Sequence, residues 1–251
     1  MDMFSLKGKV AIVTGSSRGI GQALAVGLAK AGADVVGVSR SSQETTAELV
    51  RKAGGNFLEV SFDITRFDSL HEIIDRAKEH FGHVDILVNN AGTTLRKPAL
   101  EFLPEEWDRV MDVNLKAVFF LSQAFAQEIV KEGRKGKIVN IASMQSFQGG
   151  ILITPYTASK HGVLGLTKIL ANEWAKYGIN VNAVAPGYME TEMTEPLRKD
   201  PVRNKEILSR IPAGRWGKPE DLVGAVIFLS SDASDYVHGS VVVVDGGWMA
   251  R

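Results

Sequence analysis

A doubly wound α/β fold, a parallel sheet with helices on both faces, is what this sequence predicts, on three observations. Short apolar runs rich in Val and Ile alternate with longer segments of helical periodicity along the chain. A glycine-rich turn, Thr14-Gly15-Ser16-Ser17-Arg18-Gly19-Ile20-Gly21, separates the first such run from the first helix. No linker, low-complexity stretch or internal repeat interrupts the 251 residues, a length that fits one large domain with an ample core.

Taken in order, Lys9–Thr14 reads as a strand and Gly19–Ala31 as a helix with Ile20, Leu24 and Leu28 on one face. Asp34–Ser39 is the second strand, followed by a helix over Ser42–Ala53. Phe57–Ser61 is the third strand, and Phe67–Phe81 the helix after it. Asp85–Asn89 is a short buried strand. Pro104 opens a long helix running to about Val130, with Glu105 and Glu106 suited to its first turn. Lys137–Ile141 is the fifth strand. A loop over Ala142–Pro155 leads to a helix from Tyr156 to about Lys176, and Ile179–Ala185 is the sixth strand. Gly187–Arg215 lacks clear periodicity and follows a strand's carboxyl end, a place where lids occur; an ordinary surface insertion is the competing reading. Pro219–Ser230 is a helix and Ser240–Val244 the last strand. A single domain, 1–251, with a lid around 187–215 is the expectation.

Composition narrows the function. Hydrophobic residues make up 45% and charged residues 23%, as in ordinary globular proteins. Lys plus Arg and Asp plus Glu number 29 each, so there is none of the basic excess of a nucleic-acid binder, and no support for a membrane-surface protein. With no cysteine, disulfides, thiolate catalysis and cysteine-ligated metal are excluded. Met1 to Leu6 lacks the features of a signal peptide, and no apolar run is long enough to span a bilayer. The expected setting is the cytoplasm.

The glycine turn carries the first chemical signal. Gly15, Gly19 and Gly21 are spaced G-x-x-x-G-x-G between strand and helix, where glycines admit a pyrophosphate and the helix presents free N–H groups and the positive end of its dipole. A tight turn that binds nothing is the alternative, but its place after the first strand of a βα series favours a dinucleotide. At the end of the second strand an acidic residue would select NAD; here Ser39 and Arg40 stand instead. Arg40 and Arg18, with the hydroxyls of Ser16 and Ser17, suit a 2′-phosphate, so NADP(H) is favoured, with NAD(H) as the alternative. A solvated Arg40 is the competing reading. Asn89-Asn90-Ala91-Gly92 closes the fourth strand and suits the cofactor's adenosine half. Asp63, with Ile64 beside it, closes the third strand and either accepts from the adenine amino group or shapes a turn.

Tyr156 and Lys160, four apart, share one helix face. A phenol alone, with a reference pKa of ~10, is a poor acid near neutral pH, and an ammonium beside it favours the tyrosinate. Bringing it to ~7 requires about 4 kcal/mol of differential stabilisation. A Tyr-x-x-x-Lys is common by chance; its weight comes from following the fifth strand of a dinucleotide fold. Ser143, upstream, can hydrogen-bond a substrate oxygen. Asn114, a poor helix former within the long helix, suits a kinked backbone or a water, or is simply a core amide.

These pieces together resemble the short-chain dehydrogenase/reductase family over nearly the full length: Thr14–Gly21, Asp63, Asn89–Gly92, Asn114, Ser143, Tyr156-x-x-x-Lys160 and Pro186-Gly187 occur in the family's order. The resemblance implies a Rossmann-type fold and secondary alcohol–ketone interconversion by hydride transfer, with no metal required. It implies that Tyr156 is the acid/base, that Lys160 lowers its pKa and holds the nicotinamide ribose, that Ser143 polarises the carbonyl, and that Asn114 holds a water in a relay through Lys160. Asn90, Ala91, Gly92, Asp63 and Ile64 then fall on the adenosine side. Pro186, Gly187 and Met189 meet the nicotinamide amide, and Thr191 offers it a hydroxyl. A homotetramer acting on a small molecule is the implied assembly.

Asn140-Ile-Ala-Ser-Met144, Ser146-Phe-Gln-Gly-Gly150, Ala171-Asn-Glu-Trp174, Ile211-Pro-Ala-Gly-Arg-Trp-Gly217 and the terminus Val244-Asp-Gly-Gly-Trp248 with Ala250-Arg251 are similar to the subgroup of 2-dehydro-3-deoxy-D-gluconate 5-dehydrogenases. The Ser146–Gly150 stretch, beside Ser143, then shapes substrate choice. An acidic sugar needs a cation; Arg96 is the first candidate, against a merely solvated loop arginine, and Gln145 and Gln148 suit sugar hydroxyls. Arg251 is expected to be frayed rather than to reach a neighbouring subunit's site. Rival readings are a 3-oxoacyl carrier-protein reductase or gluconate 5-dehydrogenase and, from another class, a dinucleotide-sensing binding protein, which would have no need of the acid pair.

Overall fold

The computed structural model describes residues 2–250, so Arg251 lies outside the described residues. Seven strands form one all-parallel sheet in the order β3-β2-β1-β4-β5-β6-β7. They are β1 (Val10–Thr14), β2 (Asp34–Ser39), β3 (Phe57–Ser61), β4 (Ile86–Asn89), β5 (Gly136–Ile141), β6 (Ile179–Pro186) and β7 (Val241–Val244). The helices between them are α1 (Gly19–Lys30), α2 (Glu44–Lys52), α3 (His71–Phe81), α4 (Pro104–Met111), α5 (Ala117–Glu132), α6 (Thr154–Trp174), α7 (Glu195–Lys199), α8 (Pro201–Arg210) and α9 (Val223–Ser230).

β1, β2, β4, β5 and β6, buried on both faces, are mostly apolar, and successive residues point to opposite layers; the edge strands β3 and β7 are more exposed. Val10 and Ile12 join Val36, Val38 and Leu87 in a core under α3, α5 and α6, built with Ile73, Leu121, Phe125 and Leu170. Ala11 and Val13 join Val35, Ile86 and Val88 in a second core under α1, α2 and α9, built with Leu24, Leu28, Val50, Val226 and Leu229. The strand order reverses between β1 and β4, so the crevice at their carboxyl ends is the topological switch point where ligands bind in open α/β sheets.

The expected fold stands, with two refinements. The long helix from Pro104 is not one α-helix: α4 and α5 are joined by a π-helical turn, Asp112–Lys116, whose fully buried residue is Asn114. Such turns occur often at functional sites, because the extra residue re-aims a side chain without ending the helix. Gly187–Arg215 is ordered as the short helices α7 and α8, with α8 held by an N-cap in which Asp200 accepts from the amides of Val202 and Arg203. Among the described residues no helix is long and apolar enough to cross a membrane.

Candidate active site

The glycine turn leaves β1 against the end of β4. Thr14 Oγ1 accepts from the amides of Asn90 and Ala91, 3.0 Å each, and Asn90 Nδ2 donates to the carbonyls of Thr14 (2.8 Å) and Gly15 (3.4 Å). A side chain would break this packing: a Cβ on Gly15 would lie 2.9 Å from Ala91 Cα, and one on Gly21 2.1 Å from the Gly15 carbonyl oxygen. Gly15 and Gly19 both have positive φ, +69° and +56°. Arg18, at the N-cap of α1, supplies no side-chain cap among the described residues, and the first turn holds no acidic residue. Amides at the head of α1 are thus left for an anion. The turn, its bare helix end and the close-packed glycines fit a dinucleotide pyrophosphate.

The 2′-phosphate set is only partly assembled as the sequence suggested. Arg40 is 73% exposed and 3.6 Å from Asp63 Oδ2. The helix that follows it, α2, is held beside the glycine turn because Thr46 Oγ1 donates to the Ser16 carbonyl at 2.8 Å. Ser16 itself is fully buried and donates its hydroxyl to Gln43 Oε1, so it is no phosphate ligand; Ser17 remains. Arg18 faces Glu192 at 3.2 Å across the crevice, and Gly19 looks toward Thr191. Asp63 Oδ1 closes a turn by accepting from Thr65 N (3.0 Å) and Thr65 Oγ1 (2.8 Å), which settles the turn reading for that oxygen while Oδ2 faces Arg40. Burial pushes the Asp63 carboxyl up, but the Thr65 bonds and the Arg40 charge together hold it below its usual range.

Ser143, Tyr156, Lys160 and Asn114 come together beyond the ends of β4 and β5. Ser143 caps a 3₁₀ turn, Met144–Ser146, its Oγ accepting from Gln145 N at 3.1 Å. Lys160 Nζ donates to the Ile141 carbonyl at 2.6 Å and lies 5.7 Å from the Tyr156 ring centroid. Asn114 Oδ1 accepts from Thr93 N (2.8 Å), and its Nδ2 donates to Thr93 O (2.9 Å) and Ser159 Oγ (3.1 Å). Gly92 sits over this group: a Cβ there would lie 3.5 Å from Asn114 Oδ1 and 4.0 Å from Lys160 Nζ.

Residues 15–249 match the family model described as enoyl-(acyl carrier protein) reductase. The chain is 55% identical to a 2-dehydro-3-deoxy-D-gluconate 5-dehydrogenase of Escherichia coli, over 100% of this chain and 99% of that protein. It is 56% identical to a solved structure from Agrobacterium tumefaciens, described as a candidate 2-deoxy-D-gluconate 3-dehydrogenase with bound NADP, with a TM-score of 0.95 and full coverage of both chains. A gluconate 5-dehydrogenase of Burkholderia cenocepacia, in complex with NADP and tartrate, is 43% identical with a TM-score of 0.95 over 100% of this chain and 98% of that one. The chain belongs to the short-chain dehydrogenase/reductase family. It is an NAD(P)-dependent oxidoreductase.

The electrostatics of this short-chain dehydrogenase differ from expectation at the acid pair. Burial raises the Tyr156 phenol, while the Ser143 hydroxyl and the Arg96 charge draw it back. The Lys160 ammonium is turned to the Ile141 carbonyl, and burial lowers its own pKa to about 8. Arg96 thus adds a second positive charge acting on the phenol, beside the Lys160 ammonium 5.7 Å from its ring. Arg96 is exposed and has no ion pair among the described residues. Its loop is tied to the segment just before α6, because Lys97 N donates to the Leu152 carbonyl at 2.9 Å.

Two buried hydroxyls brace the reductase site that sequence reasoning did not assign to it. Ser146 Oγ accepts from Ser143 N (3.2 Å) and donates to the Lys160 carbonyl (2.7 Å), tying the serine turn to α6. Ser146 thus points inward and does not face a substrate. Its spacing, three after Ser143, is the only sequence signal, a capping-box pattern of hydroxyls. Ser159 Oγ donates to the Tyr156 carbonyl at 2.7 Å and accepts from Asn114. Of the two glutamines, Gln145 is 6% exposed with its Oε1 buried and unpartnered, whereas Gln148 Oε1 accepts from Trp248 Nε1 at 3.4 Å. Met189 is buried, and Thr191 caps the turn Glu192–Thr194.

Proposed function

We propose that this enzyme oxidises a secondary hydroxyl of a deoxy or keto-deoxy sugar acid, and reduces the matching ketone, using NADP(H). The observation that carries the reading is Arg96, an unpaired guanidinium whose charge reaches Tyr156 from a loop bonded to the segment just before α6. The relatives named for sugar acids, one holding NADP and tartrate together, support it. Gln145, with its orphaned buried oxygen, would take a sugar hydroxyl, and Gln148 would hold the C-terminal tryptophan in place.

Gly15, Ser17, Arg18, Gly19, Ile20 and Gly21 would cradle the pyrophosphate, with Ser39, Arg40, Asp63, Ile64, Asn90, Ala91 and Gly92 along the adenosine half. Pro186, Gly187, Met189 and Thr191 would line the nicotinamide, and Tyr156 and Lys160 its ribose. Bound there, the nicotinamide supplies the hydride acceptor or donor. Tyr156 Oη, as tyrosinate, takes the hydroxyl proton during oxidation and returns it during reduction. Ser143 Oγ would donate to the substrate oxygen. Lys160 would turn from the Ile141 carbonyl toward the phenol, and Asn114, braced by Thr93 and Ser159, would fix a relay water behind it. The segment 187–215 would act as a lid in a single 1–251 domain. A cytoplasmic homotetramer belongs to the same reading, supported by an apolar groove along α5 and α6 lined by Leu115, Phe119, Leu166 and Ile169.

Steady-state rates on 2-dehydro-3-deoxy-D-gluconate, gluconate, 5-ketogluconate and an acetoacetyl thioester test the assignment. The highest kcat/KM is expected on a deoxy or keto-deoxy acid, and preference for the thioester overturns it. Tyr156→Phe is expected to cut kcat by at least ~10²-fold while NADP affinity stays within about twofold. The balanced charge, 29 against 29, offers no broad basic surface for an acidic carrier protein.

A further inference from the structure

Tyr188, just past the end of β6, has an environment unlike that of an ordinary packed tyrosine. Its ring lies edge-on between Trp216, at 5.3 Å, and Trp248, at 4.9 Å. Both tryptophans belong to one buried cluster with Met144, Ile207 and Ile211, and Met144 directly follows Ser143. The cluster therefore joins α8 and the C-terminal turn to the serine side of the active site.

The face of α8 pressed onto this cluster carries arginines. Ile207 is buried, and Arg203 and Arg210 stand four before and three after it, on the same side of the helix. Asn204 Oδ1 accepts from Trp216 Nε1 at 2.8 Å, which fixes the helix's rotation. The Arg210 guanidinium stacks over the Trp248 ring at 4.0 Å. Arg96 stands on the loop that Lys97 bonds to the Leu152 carbonyl, just before α6. Arg203 and Arg210 thus lie on the side of α8 that packs with the tryptophans around Tyr188. The only carboxylate paired with any of them among the described residues is Glu206, three along from Arg203 on the same helix.

With Glu206 on Arg203 and no carboxylate on Arg96 or Arg210 among the described residues, the group carries an excess of positive charge that an anionic ligand offsets. Guanidinium forks and a phenol donor are the usual partners of a carboxylate. We propose that Tyr188, Arg203 and Arg96 form the subsite that binds the substrate's carboxylate, with α8 supplying one side of it and Arg210 held in reserve on Trp248. The charges of Arg203, Arg96 and Arg210 all act on the Tyr188 phenol, Arg203 most strongly, against the burial that raises it. The assignment rests on the sugar-acid reading. It makes α8 the element that distinguishes an acid from a neutral sugar.

The test compares 2-dehydro-3-deoxy-D-gluconate with its primary amide, in wild type and in Arg203→Gln, Arg203→Lys and Tyr188→Phe. Arg203→Gln is expected to raise KM for the acid by ~10-fold or more while KM for the amide and for NADP stays within about twofold. Arg203→Lys is expected to recover part of the loss, since charge returns without the fork. Tyr188→Phe, which keeps the ring packing, is expected to show a smaller rise confined to the acid. A KM unchanged for the acid, or one that rises equally for acid and amide, overturns the subsite while leaving the sugar-acid reading standing. A wild type that reduces the thioester and oxidises neither the acid nor its amide overturns both.

Discussion

At the scale of single residues, charge placement governs the site. Lys160 is buried and its folded pKa, about 8, is below the ordinary 10.5. An unfolded chain therefore holds that proton more tightly than the folded one between those values, so Lys160 contributes stability that grows as pH rises through this window. The stability gap between Lys160→Met and wild type is expected to shift in favour of wild type by about 3 kcal/mol from pH 8 to 10.5, and to be flat below pH 7. Chemical denaturation across that range measures it, and a gap independent of pH contradicts the buried, depressed ammonium. Arg40 is the second case, since it leans on Asp63 from an exposed position. Arg40→Ala is expected to raise KM for NADP ~10-fold or more and leave KM for NAD within about twofold. Loss of both together would make Arg40 a structural residue rather than a phosphate clamp.

At the scale of elements, the site is built where strand ends meet helix starts, and glycine makes those junctions possible. Gly21 lies inside α1 yet abuts the Gly15 carbonyl, so any side chain there pushes the helix off the turn. Gly21→Ala is expected to weaken NADP binding by ~10-fold or more and to lower the melting temperature by several degrees, since the clash is with backbone. Fluorescence titration alongside thermal unfolding reads both, and an unaltered dissociation constant contradicts the tight turn. The π turn at Asp112–Lys116 is the other decisive element. The chain around Asn114 has the composition of a helix, and its periodicity predicts an uninterrupted one. The break is favourable because the Asn114 amide meets both Thr93 backbone groups and Ser159, partners distant in sequence.

At the scale of the whole molecule, the parallel sheet sets which strand ends are neighbours. Its order places β1 beside β4, which brings the Gly15–Gly21 turn against Asn90 and Ala91. The outer surface of α5 and α6 leaves apolar residues uncovered, with Ile169 at 47% and Val130 at 45% exposure. Interfaces of stable oligomers have that character. Ile169→Asp is expected to split a tetramer into smaller species by light scattering. A wild type that runs as a monomer contradicts the assembly outright.

The sequence by itself determined the alternation of strands and helices and the glycine turn, because each is a local pattern with a physical period or spacing; Ser143, Asn114, Tyr156 and Lys160 were legible as a set only through the family resemblance. The sequence also offered Arg96 as a candidate cation for an acidic substrate, against a solvated loop arginine. Only the tertiary structure decided that Ser16 is buried against Gln43, that Lys160 rests on Ile141, and that Ser146 braces the serine turn. It alone brought Tyr188 between Trp216 and Trp248, with Arg210 stacked on the latter. The reason is the same in each instance. These are pairings between segments far apart along the chain, and no propensity or spacing encodes a partner that only packing supplies.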